Sequence, residues 1–234
     1  YDGYLNDKAV PFPALLRDAG YTTFMAGKWH LGMKEEHSPA NRGFDRSYAM
    51  LQGGAGHFDQ TGIITFDAEK MPQAQYRENG QLAQVPEGFY SSTFYASKII
   101  SYIDENRPTK KPFFGYLAFT APHWPIQAPK SYIDKYEGKY DVGYEVIREQ
   151  RLARMKQLGI VPKDMKPYVG NPAWPRWNEL TERQKKIDSK RMAVYAAMVD
   201  AMDAEIGRVI AHLKQIGEYD NTVIFFLSDN GADG

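Results

Sequence analysis

The 234-residue chain contains no cysteine, so it holds no disulfide, no thiolate metal site and no cysteine nucleophile of its own. It also lacks a charge imbalance: 29 Lys and Arg stand against 29 Asp and Glu, which leaves no electrostatic footprint for nucleic acid or for an anionic membrane surface. Long hydrophobic runs are missing too. The longest, such as Phe113–Phe119 and Val223–Leu227, are far too short to span a bilayer, so no membrane insertion is expected. There is no internal repeat and no low-complexity segment. What remains is 43% hydrophobic and 14% aromatic, a composition that argues against disorder, in a length sufficient to bury a sizeable core.

The ends are informative. The chain opens at Tyr1 with no basic-then-apolar leader in view, and it stops at Ala232-Asp233-Gly234 directly after a strand-like run. The reading this favours is a piece of a longer protein, with compartment and oligomeric state left open.

Helical and strand-like segments alternate. Val10 to Ala19 reads as a short helix with prolines in its first turn and Gly20 at its end. Tyr21 to Met25 reads as a strand leading to Gly27. Residues 33–89 are rich in Gly, Gln, Asn and Pro and read as loops and hairpins with weak strand runs such as Gly62–Phe66. Ser91 or Ser92 is placed to cap a helix to about Asn106, with Phe94, Ile99, Ile100 and Ile103 on one face. The run Phe113–Phe119 suits a strand buried on both faces of a parallel sheet. Residues 141–158 read as a charged amphipathic helix with Val146, Ile147, Met155 and Leu158 inward, followed by a Pro- and Trp-containing loop to residue 180. Thr181 with Gln184 fits a capping box. The helix after it shows Ile187, Tyr195, Val199, Met202, Ile206, Val209, Ile210 and Leu213 at helical spacing. Thr222 to Leu227 reads as the last strand. This order predicts an α/β fold with a mostly parallel central sheet flanked by helices.

In such sheets, ligands bind beyond the carboxyl ends of the strands. Three clusters stand there and are expected on one rim. Gly27-Lys28-Trp29-His30-Leu31-Gly32 places an ammonium and an imidazole two residues apart, on the same side of an extended stretch, between glycines that permit close approach. That pair suits an oxyanion, with the lysine as point charge and the histidine as donor or proton shuttle. Read alone, it fits a surface lysine and a packed histidine equally well. Pro122-His123-Trp124-Pro125 holds an imidazole in a rigid setting, although a satisfied histidine in an aromatic turn has the same appearance. Ser228-Asp229-Asn230-Gly231 offers hard oxygen donors suited to Ca²⁺ or Mg²⁺, or simply an Asx turn, and two donors fall short of the six to eight oxygens Ca²⁺ takes. His57, in the loop Gly53–Asp59, is a lesser pocket candidate. His37 reads as a surface loop residue and His212 as structural or solvated. Together the clusters describe cationic and donor groups beside a metal, equipment suited to sulfuryl or phosphoryl transfer.

These residues carry a family resemblance over most of the chain and in the right order. Gly20-Tyr21-Thr22-Thr23-Phe24-Met25-Ala26-Gly27-Lys28-Trp29-His30-Leu31-Gly32 resembles the second sulfatase signature, and Asn41-Arg42-Gly43-Phe44-Asp45 is typical of the segment downstream of that signature. Ala121-Pro122-His123-Trp124-Pro125 is similar to the central histidine segment of sulfatases, and Phe226-Leu227-Ser228-Asp229-Asn230-Gly231 to their metal motif. The likeness is to bacterial arylsulfatases of the alkaline-phosphatase superfamily. It implies hydrolysis of small-molecule or sugar sulfate esters. Lys28 would contact sulfate and nucleophile, and His30 would hydrogen-bond the nucleophile and help to release sulfate. His123 would bind sulfate and protonate the leaving oxygen, with Asp229 and Asn230 as two Ca²⁺ ligands (Mg²⁺ as an alternative). The family's nucleophile is a formylglycine made from the Cys (or a Ser in its place) of a Cys-x-Pro-x-Arg motif upstream of the signature, and nothing before Gly20 resembles that motif. The resemblance therefore implies that residues 1–234 are the central part of an N-terminal catalytic domain. The nucleophile and the remaining metal ligands are expected outside the chain, and the 234 residues alone are expected to be inactive. Alternative readings are a phosphate or phosphonate monoester hydrolase of the same superfamily, or a non-catalytic anion- or metal-binding protein.

Overall fold

A computed structural model describes residues 3–62 and 73–231. The expected strand run at Gly62–Phe66 therefore lies almost wholly outside the described residues. Helix α1 (Phe12–Asp18) starts after Pro11 and leads into β1 (Thr22–Lys28). β2 (Arg46–Met50) is next, then a hairpin of β3 (Tyr76–Glu78) and β4 (Gln81–Ala83). The Asn79-Gly80 turn between them has φ of 50° and 88°, a positive pair that favours these two residue types. Helix α2 (Ser91–Asn106), β5 (Phe113–Ala118) and the short α3 (Lys130–Ile133) come after the hairpin. Helices α4 (Tyr144–Gln157) and α5 (Glu182–Gln215) complete the order.

The five strands form one sheet in the order β4-β3-β2-β1-β5. β1 pairs in parallel with β2 (Ala26 opposite Tyr48) and with β5 (Ala26 opposite Leu117). The hairpin extends the sheet antiparallel from β2. The architecture is the expected α/β sheet flanked by helices, parallel around β1 and antiparallel in the segment read as hairpins.

Alternation along the strands divides the core into two layers. Phe24, Ala26, Tyr48 and Met50 face α2 and the end of α5, meeting Tyr95, Ile99, Tyr102, Ile103 and Leu213. Met25, Ala49 and Leu51 face the other way with Trp29, Phe44 and Phe114, and Phe12 of α1 packs edge-on to Phe114. A third cluster ties the segment after β5 to α5 through Ala121, Ala128, Ala197 and Met198. That cluster anchors the loop carrying His123.

Several sequence expectations change. β5 is only half-buried, with Tyr116 46% exposed, and among the described residues it is an edge strand rather than an inner one. The segment 222–228 forms no strand. It finds no ladder partner among the described residues, and Val223, Phe225, Phe226 and Leu227 are exposed. α4 buries no residue, and Val146 and Leu158 face solvent. Its partners are the irregular 160–180 segment, where the Tyr144 hydroxyl donates to the Pro175 carbonyl and Arg148 to that of Tyr168. On α5 the buried face is the small-residue row Ser189, Ala193, Ala197 and Ala201. Ile187, Tyr195 and Val199 are exposed, since the close approach of the third cluster selects alanine over bulk. Tyr90, not a serine, is the N-cap of α2; Ser91 and Ser92 are buried in its first turn. The Thr181–Gln184 capping box is present. Among the described residues no helix is long and apolar enough to cross a membrane.

Candidate active site

Lys28 ends β1, and His30 lies two residues beyond it, at the carboxyl end of the parallel strands. The local backbone is specialised. Gly27 has φ 126°, and a Cβ there would stand 1.9 Å from the Ala118 carbonyl oxygen, so only glycine lets β1 and β5 run together to their ends. His30 itself has φ 56°, a left-handed conformation uncommon outside glycine and often found at functional sites. Its exposed ring rests on the backbone of Gly53, where a Cβ would come within 2.8 Å of Cε1. Trp29 between them points inward, donating from Nε1 to the His37 carbonyl at 2.8 Å and packing on Phe44. The intervening tryptophan thus anchors the strand end while its neighbours face the rim.

The segment Asn41–Asp45 is structural. Asp45 accepts from the Thr23 backbone N–H at 2.9 Å, the Thr23 hydroxyl donates to the Gly43 carbonyl at 2.7 Å, and Phe44 is buried. This clamp fixes the start of β1 against β2.

His123 is half-buried in the loop after β5. Its backbone N–H donates to the Thr120 carbonyl at 3.0 Å, and its ring Nδ1 lies 2.7 Å from the Trp124 carbonyl oxygen. A carbonyl only accepts, so Nδ1 carries the hydrogen and Nε2 is the free ring nitrogen. Trp124 is exposed beside it.

Residues from each of the three clusters act on the electrostatics of His30. Its pKa is lowered from 6.5, first by desolvation, then by the Lys28 ammonium and by His123, with the Asp229 carboxylate pulling the other way. A pair of imidazoles, an ammonium and a carboxylate within electrostatic reach of one another can hold an oxyanion and move a proton at its edge.

The metal half is less complete. Asp229 and Asn230 are exposed, and the Asn230 side-chain amide donates to the Gly231 carbonyl at 2.7 Å. Among the described residues no three His, Cys, Asp or Glu side chains converge in a way that would hold an ion. The donor types suit a hard divalent cation; the number supplied here is two.

His57, a lesser candidate in the sequence, is fully buried and hydrogen-bonded on every side. Its surroundings come from residues 34 to 70 positions away, so its local Gly-rich context carries no sign of this. His37 stacks on Tyr4 at 4.0 Å, and His212 pairs with Asp104 at 2.9 Å, so both are structural. Of the loop aromatics, Phe58 packs on Tyr90 and Trp177 on Tyr144, while Trp174 is exposed.

Comparison with known proteins bears on the fold and the family. A crystal structure of Ps i-CgsB in complex with k-i-k-neocarrahexaose shares the fold over 94% of this chain and 40% of its own, with a TM-score of 0.61 at 23% identity. The structure of BT4656 in complex with D-glucosamine-2-N,6-O-disulfate does so over 94% and 49%, with a TM-score of 0.52 at 22% identity. In sequence, the chain is 45% identical to an uncharacterized sulfatase of Schizosaccharomyces pombe over 100% of its own length and 43% of that protein. It is 41% identical to the arylsulfatase of Klebsiella aerogenes over 100% of its length and 49% of that enzyme. The chain thus spans less than half the length of these two relatives. The Sulfatase family profile matches residues 3–234, and the chain belongs to the sulfatase family.

Proposed function

We propose that this chain carries the sulfate-binding part of a sulfuric ester hydrolase acting on small-molecule or sugar sulfate esters, and that Lys28, His30 and His123 are its working side chains. What supports this reading is Lys28 and His30 at the carboxyl end of the parallel strands, with Lys28, His123 and Asp229 all acting on the His30 charge state, in a chain of the sulfatase family. The 41% identity to an enzyme named arylsulfatase favours sulfate over the phosphate or phosphonate alternative.

In this reading the Lys28 ammonium faces the sulfate oxygens and balances their charge, while the neutral His30 imidazole hydrogen-bonds the nucleophile and helps to release sulfate. His123 stands at the ester oxygen. As the sulfur–oxygen ester bond breaks, the protonated ring delivers its Nε2 proton to the departing alcohol, while the Trp124 carbonyl accepts from Nδ1–H and keeps the ring oriented. Asp229 and Asn230 would hold a Ca²⁺ or Mg²⁺ ion with ligands from elsewhere; when bound, it supplies positive charge next to the sulfate. The attacking nucleophile, a formylglycine in this reading, comes from outside these residues, since nothing before Gly20 resembles the motif in which it is made. A hydrolase stripped of its nucleophile loses about a millionfold in turnover, so the chain alone is expected to bind without hydrolysing.

Calorimetric titration with inorganic sulfate and phosphate, alongside an assay on a chromogenic aryl sulfate, tests both parts. Sulfate should bind in preference to phosphate. Lys28→Ala should weaken it about 10- to 100-fold, the loss of one charge-assisted hydrogen bond, with no turnover at any Ca²⁺ concentration. Failure of sulfate to bind overturns the site, a phosphate preference moves the reading to the monoester alternative, and clear turnover overturns the external nucleophile.

A further inference from the structure

His57 is the most completely bonded side chain near the rim, and neither the anion-binding reading nor the proton-transfer reading uses it. Its ring is fully buried. Nε2 lies 3.0 Å from the carbonyl oxygen of His123, and Nδ1 lies 2.7 Å from the hydroxyl of Ser91. The carbonyl can only accept, so Nε2 carries the hydrogen, and Nδ1 therefore accepts from the Ser91 hydroxyl. One tautomer satisfies both contacts. Burial lowers the His57 pKa from 6.5 and keeps the ring neutral, as this pattern requires.

The backbone of His57 is held just as firmly. Its N–H donates to Gln127 Oε1 at 2.7 Å, and its carbonyl accepts from the Ser91 N–H at 2.8 Å. His57 thus grips the 123–127 loop at both ends, through the His123 carbonyl and the Gln127 side chain, and ties it to the first turn of α2. α2 in turn packs against β1 and β5. The same short loop carries Gly53, whose backbone supports the ring of His30. One segment, residues 53–57, therefore underlies both rim histidines.

We propose that His57 is a positioning residue: through the hydrogen bond to the His123 carbonyl it fixes the peptide on which the His123 ring turns, and so sets the direction of the free Nε2 toward the anion site. The His123 ring bonds to the carbonyl of the very next residue, Trp124. A rotation of the 123–124 peptide would break that contact and release Nδ1–H. The His57 bond holds the segment one carbonyl earlier and opposes the rotation. Ser91 sets the His57 tautomer that makes the bond possible. The role assigned to His123 rests on the function proposed above; the geometry assigned to His57 does not.

With only five histidines in the chain, ¹⁵N-histidine labelling and two-bond proton–nitrogen correlation spectra resolve each ring separately. The wild-type chain should show His57 as the Nε2–H tautomer and neutral His123 as the Nδ1–H tautomer. In His57→Leu, His123 should shift toward Nε2–H and its titration midpoint should move. In His57→Gln, whose amide can donate to the same carbonyl, both should return toward wild type. Inorganic sulfate should bind about 10-fold more weakly to the leucine variant, at the lower end of what outer partners of site residues contribute, and within about threefold of wild type to the glutamine variant. Should His57→Leu fail to fold by circular dichroism, Ser91→Ala serves in its place; it releases the His57 tautomer and should shift His123 in the same direction by less. A folded His57→Leu, or else Ser91→Ala, with an unchanged His123 tautomer and titration overturns the proposal. If sulfate fails to bind even the wild type while the tautomers behave as stated, the function falls and the positioning role stands.

Discussion

Two apolar runs in this chain look alike in sequence and end alike, in short polar motifs that carry chemistry. The first, β1, lies between two parallel partners, and its middle residues are wholly buried. The second, residues 222–227, finds no partner among the described residues, and Phe225 is 85% exposed. The difference is not one of propensity, since both are rich in β-branched and aromatic residues. It lies in what each run meets. A buried backbone must place every N–H and C=O, and pairing on both sides does that for β1. The consequence reaches the site. Lys28 and His30 stand on a backbone fixed by ladders and by a glycine contact, whereas Asp229 and Asn230 ride on an exposed stretch.

The comparison is broken most sharply by paired substitutions. Gly27→Ala forces a Cβ onto the Ala118 carbonyl at a positive φ. The clash and the backbone strain together should cost about 3 kcal/mol or more. Phe225→Ala removes a far larger side chain from solvent and should stay within about 0.5 kcal/mol of wild type. Urea unfolding of both variants reads the contrast. A Gly27→Ala variant as stable as the Phe225→Ala one would mean that β1 and β5 separate freely and that the rim is not fixed by their pairing.

The same contrast explains what the sequence could and could not reveal. The strand at β1, helices α2 and α5 and the capping box at Thr181 were legible because each depends on local spacing or on motif identity. The Asn79-Gly80 hairpin was legible only as a loop-and-hairpin region, since its position depends on pairing with β2. The helical spacing on α5 located the helix but not its buried row, because periodicity finds large apolar residues, while the contact at Ala197 and Ala201 selects small ones. β5 was misread because a sequence does not show which strand will be at an edge. His57 was underrated for the same kind of reason: its partners Ser91, His123 and Gln127 are distant in the chain. Asp45 was legible as part of a motif, yet its hydrogen bonds show that it organises β1 rather than facing the rim.

An intermediate effect is expected from acidification, and it falls on the well-packed half. Burial holds the His57 pKa below 6.5, with the hydrogen bond to His123 opposing; desolvation, Lys28 and His123 hold that of His30 below the same value. The unfolded chain takes up protons at both positions near pH 6.5, and the folded chain does so only at lower pH. Below about pH 6.5 the unfolded state therefore binds more protons, and stability falls as pH falls. The thermal midpoint should be level from about pH 8 to 7 and decline steadily below 6.5. His57→Gln removes one of the two titrations and should flatten the decline. A midpoint that holds or rises between pH 6.5 and 5.5 would show that neither histidine is kept neutral by the fold.

The smallest effect on folding should come from the exposed segment itself. Asp229 makes no hydrogen bond or ion pair among the described residues, so Asp229→Ala should leave the urea midpoint within about 0.5 kcal/mol of wild type. Its effect should appear in binding instead. Two donors hold Ca²⁺ only weakly, so if Asp229 and Asn230 contribute to a divalent site, Ca²⁺ at about millimolar concentration should tighten inorganic sulfate binding to the wild-type chain modestly, because a cation beside the anion adds attraction that Lys28 and His30 alone do not supply. The Asp229→Ala chain should lose that Ca²⁺ dependence while keeping its affinity for sulfate in the absence of Ca²⁺. Calorimetric titration of sulfate with and without Ca²⁺ separates the two halves of the rim. A Ca²⁺ response that survives Asp229→Ala would move the metal to other residues. A loss of stability in that variant would mean that the exposed segment is anchored through its carboxylate after all, and the contrast with β1 would narrow accordingly.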